Sequence, residues 1–364
     1  MKLLLSAFIL ILSISLTAQY EFSHVKDIDC SPVKNQSRTG TCWSFATASF
    51  IESELLRMGN GQHDLSEMFV VRNIYKDKAM NYLLRQGKAN FSQGSLSHDL
   101  MRMMKREGVM PESIYSGLLA EEKNHNHSEM EAALKGFMDG VMKSKNPSAK
   151  WKPAFEGILD AYMGECPKTF MYNGKETDAK TLASDLNIEA DEYVSLASFT
   201  HHPYYEKFIL EIPDNYSNGS FYNIPLDIMM SSIEAALDKG YTIAWDGDVS
   251  EPGFDAKQGI AVLPLDKSRD DLFKNPGKEI KVTQELRQEK FENFTTTDDH
   301  LMHIVGKAKD QKGTEYYIVK NSWGPISPYK GYLYMSKSYL AMKTISVMLH
   351  QDVLSPKLKQ MVSE

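Results

Sequence analysis

Apolar residues in the first half of the chain recur at helical spacing. In CWSFATASFIESELLRMG (42–59) they stand three or four residues apart, which predicts an amphipathic helix that ends at Gly59. These apolar positions are Phe45, Ala48, Ile51, Leu55 and Met58. Similar spacing predicts further helices over 65–85, 94–107 and 225–240.

The pattern changes from Tyr241 onward, where short runs rich in Val, Ile, Tyr and Trp alternate with turn residues. These runs are YTIAWDGDV, HLMHIVGKAKD, EYYIVKNSWG and KGYLYMSKSYL. They predict antiparallel strands. A helical first half followed by a strand-rich last third predicts an α+β fold with two lobes. A cleft between two lobes is a natural place for an active site.

Residues from about 118 to 190 are polar but keep a helical pattern. Their many charged positions predict a solvated helical insertion rather than part of the core.

The N-terminal stretch MKLLLSAFILILSISLTAQ has the form of a secretory signal peptide. Lys2 precedes an apolar run from Leu3 to Leu16, and Thr17 and Ala18 supply small residues for cleavage after Ala18. The run is shorter than the roughly 20 residues of a transmembrane helix, although an uncleaved anchor is the alternative interpretation. No other stretch is long and apolar enough to span a membrane, so we expect export to the periplasm or the outside of the cell.

Composition narrows the class of protein. The chain is 42% hydrophobic and 24% charged with a formal charge of −7, which is ordinary for a globular protein and disfavours a general nucleic-acid binder. An exported protein with three cysteines has at least one unpaired thiol. A Cys30–Cys166 disulfide is left open by the sequence, and the context of Cys42 favours it as the free thiol.

Cys42 has the surroundings of a nucleophile in NQSRTGTCWSFA (35–46). The start of a helix carries partial positive charge and free N–H groups, which favour a thiolate. Gly40 allows a close approach of the preceding loop, and the Gln36 amide offers a donor for an oxyanion.

A base and its orienting group are predicted in the strand-rich third. DDHLMHIVG contains His300 and His303, and VKNSWG contains Asn321 followed by Trp323. An asparagine oxygen can accept the imidazole N–H and fix its tautomer, while a neighbouring tryptophan excludes water.

Taken in order, Q-x5-C-W-x-F-A, D-H-x5-G and N-S-W-G resemble the papain-like cysteine peptidases. Within that family the chain is most similar to the bleomycin hydrolase and cysteine aminopeptidase branch. The supporting stretches run from about residue 33 to about residue 353. They are NQSRTGTCWSFA, REGVMPESIY, MGECPKTF, EYVSLASF, FYNIPLDIMMSSIEAALDKG and VKNSWG.

The resemblance implies one papain-like domain over 19–364, with the active site in the cleft between its lobes. The helical lobe is expected at about 36–117, the insertion at about 118–190 and the antiparallel β-rich lobe at about 191–353.

The resemblance also assigns roles to particular residues. It implies that Cys42 is the nucleophile, His300 the base and acid, Asn321 its orienting group and Gln36 the oxyanion donor, with Trp323 shielding the His–Asn hydrogen bond. His300 is preferred to His303 because Gly306 follows it at the family's spacing. The two histidines are three residues apart on a strand and therefore face opposite sides.

Gly94 and Ser95 are the candidates for binding the substrate backbone, with a helix-capping Gly-Ser as the alternative. The mechanism implied needs no cofactor and no metal.

The implied activity is hydrolysis of peptides or proteins through a thioester acyl-enzyme, with an aminopeptidase favoured. In that branch a C-terminal arm enters the cleft, and the final HQDVLSPKLKQMVSE does not match it. An endopeptidase with an open cleft is therefore the alternative. A silent peptide-binding module is disfavoured because all four polar catalytic positions are present. Binding to nucleic acid is not expected, and homo-oligomerisation is left open.

Overall fold

A computed structural model describes residues 20–363; the predicted signal peptide, residues 1–18, lies outside this range. The helices are α1 Cys42–Arg57, α2 Glu67–Leu84, α3 Ser97–Glu107, α4 Ser128–Met142, α5 Trp151–Met163, α6 Ala179–Asp185, α7 Leu226–Asp238, α8 Gln284–Glu292, α9 Lys337–Lys343 and α10 Pro356–Ser363. The strands are β1 Phe22–Asp27, β2 Phe170–Tyr172, β3 Lys175–Thr177, β4 Tyr193–Ala197, β5 Lys207–Ile209, β6 Ser220–Asn223, β7 Ile243–Gly247, β8 Phe254–Asp255, β9 Ile260–Ala261, β10 His300–Asp310, β11 Glu315–Lys320, β12 Tyr332–Ser336 and β13 Thr344–His350.

Eleven of the described strands form one sheet in the order β5-β6-β4-β13-β7-β10-β11-β12-β9-β8, and β1 pairs with β10 beside this path. Most pairs are antiparallel, as predicted, but β4–β6 and β9–β12 are parallel. The first half is largely helical, so the predicted α+β class is confirmed. The short hairpin β2–β3 lies apart from the main sheet.

Strand β10 organises the site because it pairs with β7 at its start and with β1 and β11 further along. Its pairing with β11 shifts register between Ile304 and Gly306. A Cβ added at Gly306 would lie 2.3 Å from the carbonyl oxygen of Lys26 in β1. Only glycine therefore fits where the two strands meet, which gives the glycine of the D-H-x5-G pattern a physical reason.

The four helices predicted from apolar spacing end within two residues of where the pattern placed them. Helix α1 begins at Cys42, and Gly59 follows it with φ +82°. Helix α3 begins at Ser97, three residues later than predicted. Residues 94–96 are not helical because the buried Lys78 binds the backbone carbonyls of Ser92 and Gly94.

The segment 118–190 is not a solvated insertion, contrary to the prediction. Met130, Leu134 and Met138 of α4 and Leu159 of α5 are 0% exposed and belong to the same apolar core as Phe50 of α1. Each helix exposes its charged side and buries a narrow apolar stripe. The prediction was wrong because it rested on the number of charged residues in the segment and not on the position of its apolar residues.

Some elements were not predicted. Strand β1 lies in a stretch that is polar and turn-rich; most of its residues are exposed, and it pairs with the second half of β10. Helix α9 follows β12 directly within KGYLYMSKSYL and is capped by the Ser336 hydroxyl, which accepts from the Tyr339 N–H. Between residues 20 and 363 there is no helix with both the length and the apolar character needed to cross a bilayer.

A buried cation at the end of α9 holds the loop that leads into β10. The Lys343 ammonium lies 3.1 Å from Asp248 Oδ2 and also contacts the Glu251 carboxylate. It donates to the backbone oxygen of Thr295 at 2.6 Å and to the Thr296 hydroxyl at 3.1 Å. The residues just before His300 are thereby tied to the start of β13, which pairs with the same residue of β7, Gly247, as His300 does.

Candidate active site

Cys42 is the first residue of α1, as the sequence predicted, and its side chain is buried at the junction of α1 with β10. The backbone N–H of Leu301, the residue after His300, hydrogen-bonds the Cys42 thiol. The predicted nucleophile thus lies beside the start of the strand that carries the predicted base.

The tautomer of His300 is fixed by two hydrogen bonds to one asparagine. His300 Nε2 lies 2.7 Å from Asn321 Oδ1, and the same oxygen accepts the backbone N–H of Ser322 at 2.7 Å. Because the Ser322 N–H can only donate, the Asn321 atom must be the oxygen, and His300 Nε2 must carry a proton. The Nδ1 atom of His300 then has the free lone pair that a general base needs.

Trp323 covers this hydrogen bond. Its ring lies 4.6 Å from the His300 ring, centroid to centroid, with a 33° angle between the planes. Both His300 and Asn321 are 4% exposed, so water has little access to the bond.

Gln36 is held against the same segment. Its Oε1 accepts the Ser322 hydroxyl at 2.6 Å, and its backbone N–H donates to the Ser322 carbonyl at 2.8 Å. Its Nε2 donates one hydrogen to the Thr39 carbonyl at 2.7 Å. A primary amide has two such hydrogens, so one remains for an oxyanion. Ser322 was not predicted; its place inside the N-S-W-G motif was the signal available.

Burial keeps both reacting groups neutral in the unliganded site. Loss of solvation raises the pKa of Cys42 to about 12, against the effect of the Leu301 N–H. It lowers the pKa of His300 to about 4, although the Asn321 hydrogen bond acts in the opposite direction. A neutral thiol beside a neutral imidazole must transfer a proton before the sulfur can attack.

His303 has a different environment from His300. It is 1% exposed, and its Nδ1 lies 2.8 Å from the Ser49 hydroxyl in the middle of α1. Ser49 also accepts the buried Lys320 ammonium at 2.7 Å. His303 therefore belongs to an interior polar cluster rather than to the pair formed by His300 and Asn321.

The two candidates for substrate binding differ in what they can offer. Gly94 lies at the cleft, where a Cβ would come within 1.8 Å of an Asp214 carboxylate oxygen. The Ser95 hydroxyl is buried and donates to Asp99 at 2.7 Å. Only the backbone of Ser95 is left for a substrate, and Ser95 does not cap α3 either, because the N-cap residue is Leu96 and has no side-chain cap hydrogen bond.

Three aspartates near Cys42 were not predicted. Asp214, Asp246 and Asp298 are close enough that their charges further raise the pKa of the Cys42 thiol. Asp298 stands two residues before His300, and Asp246 interrupts the apolar strand YTIAWDGDV. A lone acid in a buried strand was the signal that could have identified Asp246.

One group of residues has metal-ligand geometry. The ligand atoms of His201, His202 and Glu211 lie within 4.8 Å of one another at the surface. However, Gln288 Nε2 lies 2.9 Å from His201 Nδ1, and Gln288 Oε1 accepts the Thr200 N–H. Gln288 therefore donates to Nδ1 and leaves the proton on His201 Nε2, the atom that would have to bind a metal.

All three cysteines, Cys30, Cys42 and Cys166, are free thiols in the structure. The Cys30 sulfur lies 3.3 Å from the Tyr332 hydroxyl, so it has a hydrogen-bonding partner other than a disulfide.

The comparisons with known proteins identify a papain-like cysteine peptidase. Residues 155–364 match the Peptidase C1-like family and residues 17–155 match the papain family cysteine proteases. The chain belongs to the Peptidase C1-like family, and the resemblance seen in its motifs is confirmed.

The relatives and neighbours agree with this assignment. The chain is 24% identical to aminopeptidase G of Lactobacillus delbrueckii subsp. lactis over 91% of its own length and 83% of that protein. It is 20% identical to human bleomycin hydrolase over 89% of its length and 81% of that protein. The crystal structure of PepW from Lactobacillus rhamnosis superposes with a TM-score of 0.71 at 17% identity, covering 94% of this chain and 84% of that one. This likeness supports the papain-like fold.

Proposed function

We propose that the protein is an exported cysteine aminopeptidase that removes N-terminal residues from peptides through Cys42, His300 and Asn321. The observation that carries the proposal is the 2.7 Å bond from His300 Nε2 to Asn321 Oδ1. It leaves His300 Nδ1 unprotonated, and the backbone of the next residue, Leu301, acts on the Cys42 thiol at the start of α1.

The proposed reaction begins with proton transfer from the Cys42 sulfur to His300 Nδ1. The sulfur attacks the carbonyl carbon of the substrate, and the free Gln36 N–H and the Cys42 backbone N–H stabilise the oxyanion. The intermediate collapses to a thioester, and the imidazolium returns its proton to the leaving amine. His300 then takes a proton from a water molecule that attacks the thioester, which releases the amino acid and restores the thiol.

Aminopeptidase activity, rather than endopeptidase activity, is supported by the names of the relatives. Aminopeptidase E of Lactobacillus helveticus covers 92% of this chain at 24% identity, as a second aminopeptidase besides aminopeptidase G. Peptides with a free N-terminus are the substrates this function requires.

The thiol mechanism is tested with Cys42→Ala, with Cys166→Ala as the matched control. We expect Cys42→Ala to abolish hydrolysis of L-alanyl-aminomethylcoumarin and Cys166→Ala to retain it. Activity that survives Cys42→Ala would refute the mechanism. His300→Ala and His303→Ala make a second pair, in which loss of turnover should follow His300.

The cleavage mode is tested with free and N-acetylated versions of one peptide substrate. An aminopeptidase cleaves only the free form efficiently, whereas equal rates would establish an endopeptidase instead. Export is tested by sequencing the N-terminus of the protein recovered from its native cell. A mature chain beginning at Gln19 supports cleavage after Ala18, and a retained Met1 contradicts it.

A further inference from the structure

The cleft next to Cys42 contains more negative charge than a cysteine nucleophile needs. We define the cleft aspartates as Asp214, Asp246 and Asp298. They come from three different elements: the loop between β5 and β6, strand β7, and the segment just before β10. All three act electrostatically on the Cys42 thiol.

Asp246 is positioned by the sheet register. It pairs with Leu301 of β10 and with Ser346 of β13, and residues opposite each other on paired strands point to the same face. Leu301 is the residue whose N–H contacts the Cys42 sulfur. The Asp246 carboxylate therefore lies beside the nucleophile, on the face of the sheet that receives α1.

Asp246 has an oxygen without a donor. The residue is 2% exposed; its Oδ2 accepts the Ser346 hydroxyl at 3.0 Å, while its buried Oδ1 has no hydrogen-bond donor in residues 20–363. The group beside it is the carboxyl of Asp298, and burial, followed by the neighbouring acid charges, raises the pKa of both carboxyls. A buried acceptor that faces another acceptor is a site that a cation can complete.

Asp298 and Asp214 extend this acceptor set toward the open side of the cleft. Both are partly exposed, and Asp214 lies directly over Gly94. Burial is the main cause that raises the pKa of all three aspartates. After burial, the charge of Lys78 acts on Asp214, whereas the next influence on Asp246 and Asp298 is a neighbouring carboxyl. Within residues 20–363, Asp246 and Asp298 are thus the members of the cluster without an ion pair to a basic side chain.

We propose that Asp246 and Asp298, with Asp214 at the rim, bind the α-ammonium group of the substrate and so set the requirement for a free N-terminus. This inference rests on the proposed aminopeptidase function and names its specificity residues. In an N-terminal residue the nitrogen lies only about 2.5 Å from the carbonyl carbon that the sulfur attacks. An acceptor for that nitrogen must therefore lie beside the nucleophile, where Asp246 is.

The α-ammonium group of a substrate and the cleft aspartates have complementary hydrogen-bonding groups and charges. An ammonium group has three N–H donors, one of which can satisfy Asp246 Oδ1. Its positive charge also offsets the carboxylates that oppose ionisation of Cys42. A substrate with a free amine therefore assists formation of the thiolate that attacks it, and an acylated amine does not.

The test compares kcat/KM for L-alanyl-aminomethylcoumarin and its N-acetyl form in the wild type, Asp246→Asn, Asp298→Asn and Asp270→Asn. Asp270 is an exposed acid far from the cleft in sequence and serves as the matched control. We expect Asp246→Asn and Asp298→Asn to lower kcat/KM for the free substrate at least about 30-fold. The same variants should change the N-acetyl rate by less than about threefold, and Asp270→Asn should change neither.

Alkylation of Cys42 by iodoacetamide, a neutral reagent, separates ammonium binding from damage to the site. The Asn variants should be alkylated at least as fast as the wild type, because a carboxylate near the thiol has been removed. Slower alkylation together with equal losses on both substrates would mean a structural role and overturn the proposal. Asp298→Asn, at a partly exposed position, keeps the test valid if Asp246→Asn does not fold.

Two further outcomes separate a failure of the ammonium-binding proposal from a failure of the aminopeptidase proposal. If the wild type prefers the free amine but both variants keep that preference, the cleft aspartates do not bind the ammonium and the aminopeptidase proposal stands. If the wild type cleaves both forms equally, the aminopeptidase proposal itself fails. Efficient cleavage of N-acetyl-lysyl-alanyl-aminomethylcoumarin that is lost in Asp246→Asn would show a site for a basic side chain instead.

Discussion

The hydrogen bond between His300 and Asn321 provides the sharpest test of the site, through the substitution Asn321→Ala. This change removes the acceptor that holds the His300 Nε2 proton at 2.7 Å. It leaves Cys42 and Gln36 in place, and Asn321 is a positioning residue because it acts through His300.

The size of the effect follows from burial. His300 and Asn321 are 4% exposed, so water does not readily replace the lost acceptor. When His300 becomes an imidazolium the bond is charge-assisted, and such bonds contribute about 1.5–3 kcal/mol. At tenfold per roughly 1.4 kcal/mol, kcat should fall about 10- to 150-fold. KM should stay within about twofold, because the transition state loses stabilisation that the ground state does not have.

The pH profile gives a second readout that a purely structural defect would not produce. The Asn321 hydrogen bond raises the pKa of His300 against the larger effect of burial, which together leave it at about 4. Removing the bond lowers that pKa further. The proposed mechanism needs neutral His300 in the free enzyme, so the acidic limb of kcat/KM should move to lower pH in the variant.

The assay is steady-state hydrolysis of L-alanyl-aminomethylcoumarin across the acidic range, with Asn146→Ala as the matched control. Asn146 is an exposed residue between α4 and α5, so its loss should change neither kcat nor the pH profile. A kcat for Asn321→Ala within threefold of the wild type would refute the orienting role. So would a rise in KM at constant kcat.

Other consequences of the structure can be measured independently. Gln36→Ala should lower kcat about 100- to 1000-fold, as loss of an oxyanion donor does. Ser322 only holds the Gln36 amide through a 2.6 Å hydrogen bond, so Ser322→Ala should lower kcat about 2- to 13-fold. Equal losses of kcat in the two variants would contradict this division of roles. Lys343→Met should lower the free energy of unfolding in urea by about 3–5 kcal/mol, because the buried Asp248 and the partly buried Glu251 lose their cation. An unchanged denaturation midpoint would argue against that ion cluster. Leu159→Ala should destabilise by about 2–5 kcal/mol, since Leu159 is 0% exposed. Leu84→Ala, at a position that is 73% exposed, should cost less than about 0.5 kcal/mol in the same denaturation experiment, and equal effects would restore the picture of a solvated insertion.

Local chemistry made several features predictable. Helix α1 begins at Cys42 because its apolar residues recur at helical spacing, and Gly59 ends the pattern with a positive φ. Motif order was enough to indicate the family, since the reaction requires a thiol, an imidazole and an amide of these types. The pairing of His300 with Asn321 followed from the same motifs, although they are 21 residues apart.

The prediction from charge density was wrong for helices whose buried face is narrow. The many charged positions of segment 118–190 predicted a solvated insertion, yet Leu134 and Leu159 lie in the core. A sequence pattern shows that a face is apolar but does not show whether another element covers it.

By itself the sequence determined the family, the α+β class, the principal helices around the site and the identity of the groups that can react. These depend on residue type and on spacing within one element or motif. The tertiary structure alone decided that Ser322 holds Gln36, that His303 faces Ser49, and that Asp214, Asp246 and Asp298 meet beside the nucleophile. Those contacts join residues up to 286 positions apart, and strand register and loop packing, which bring them together, are properties of the whole chain.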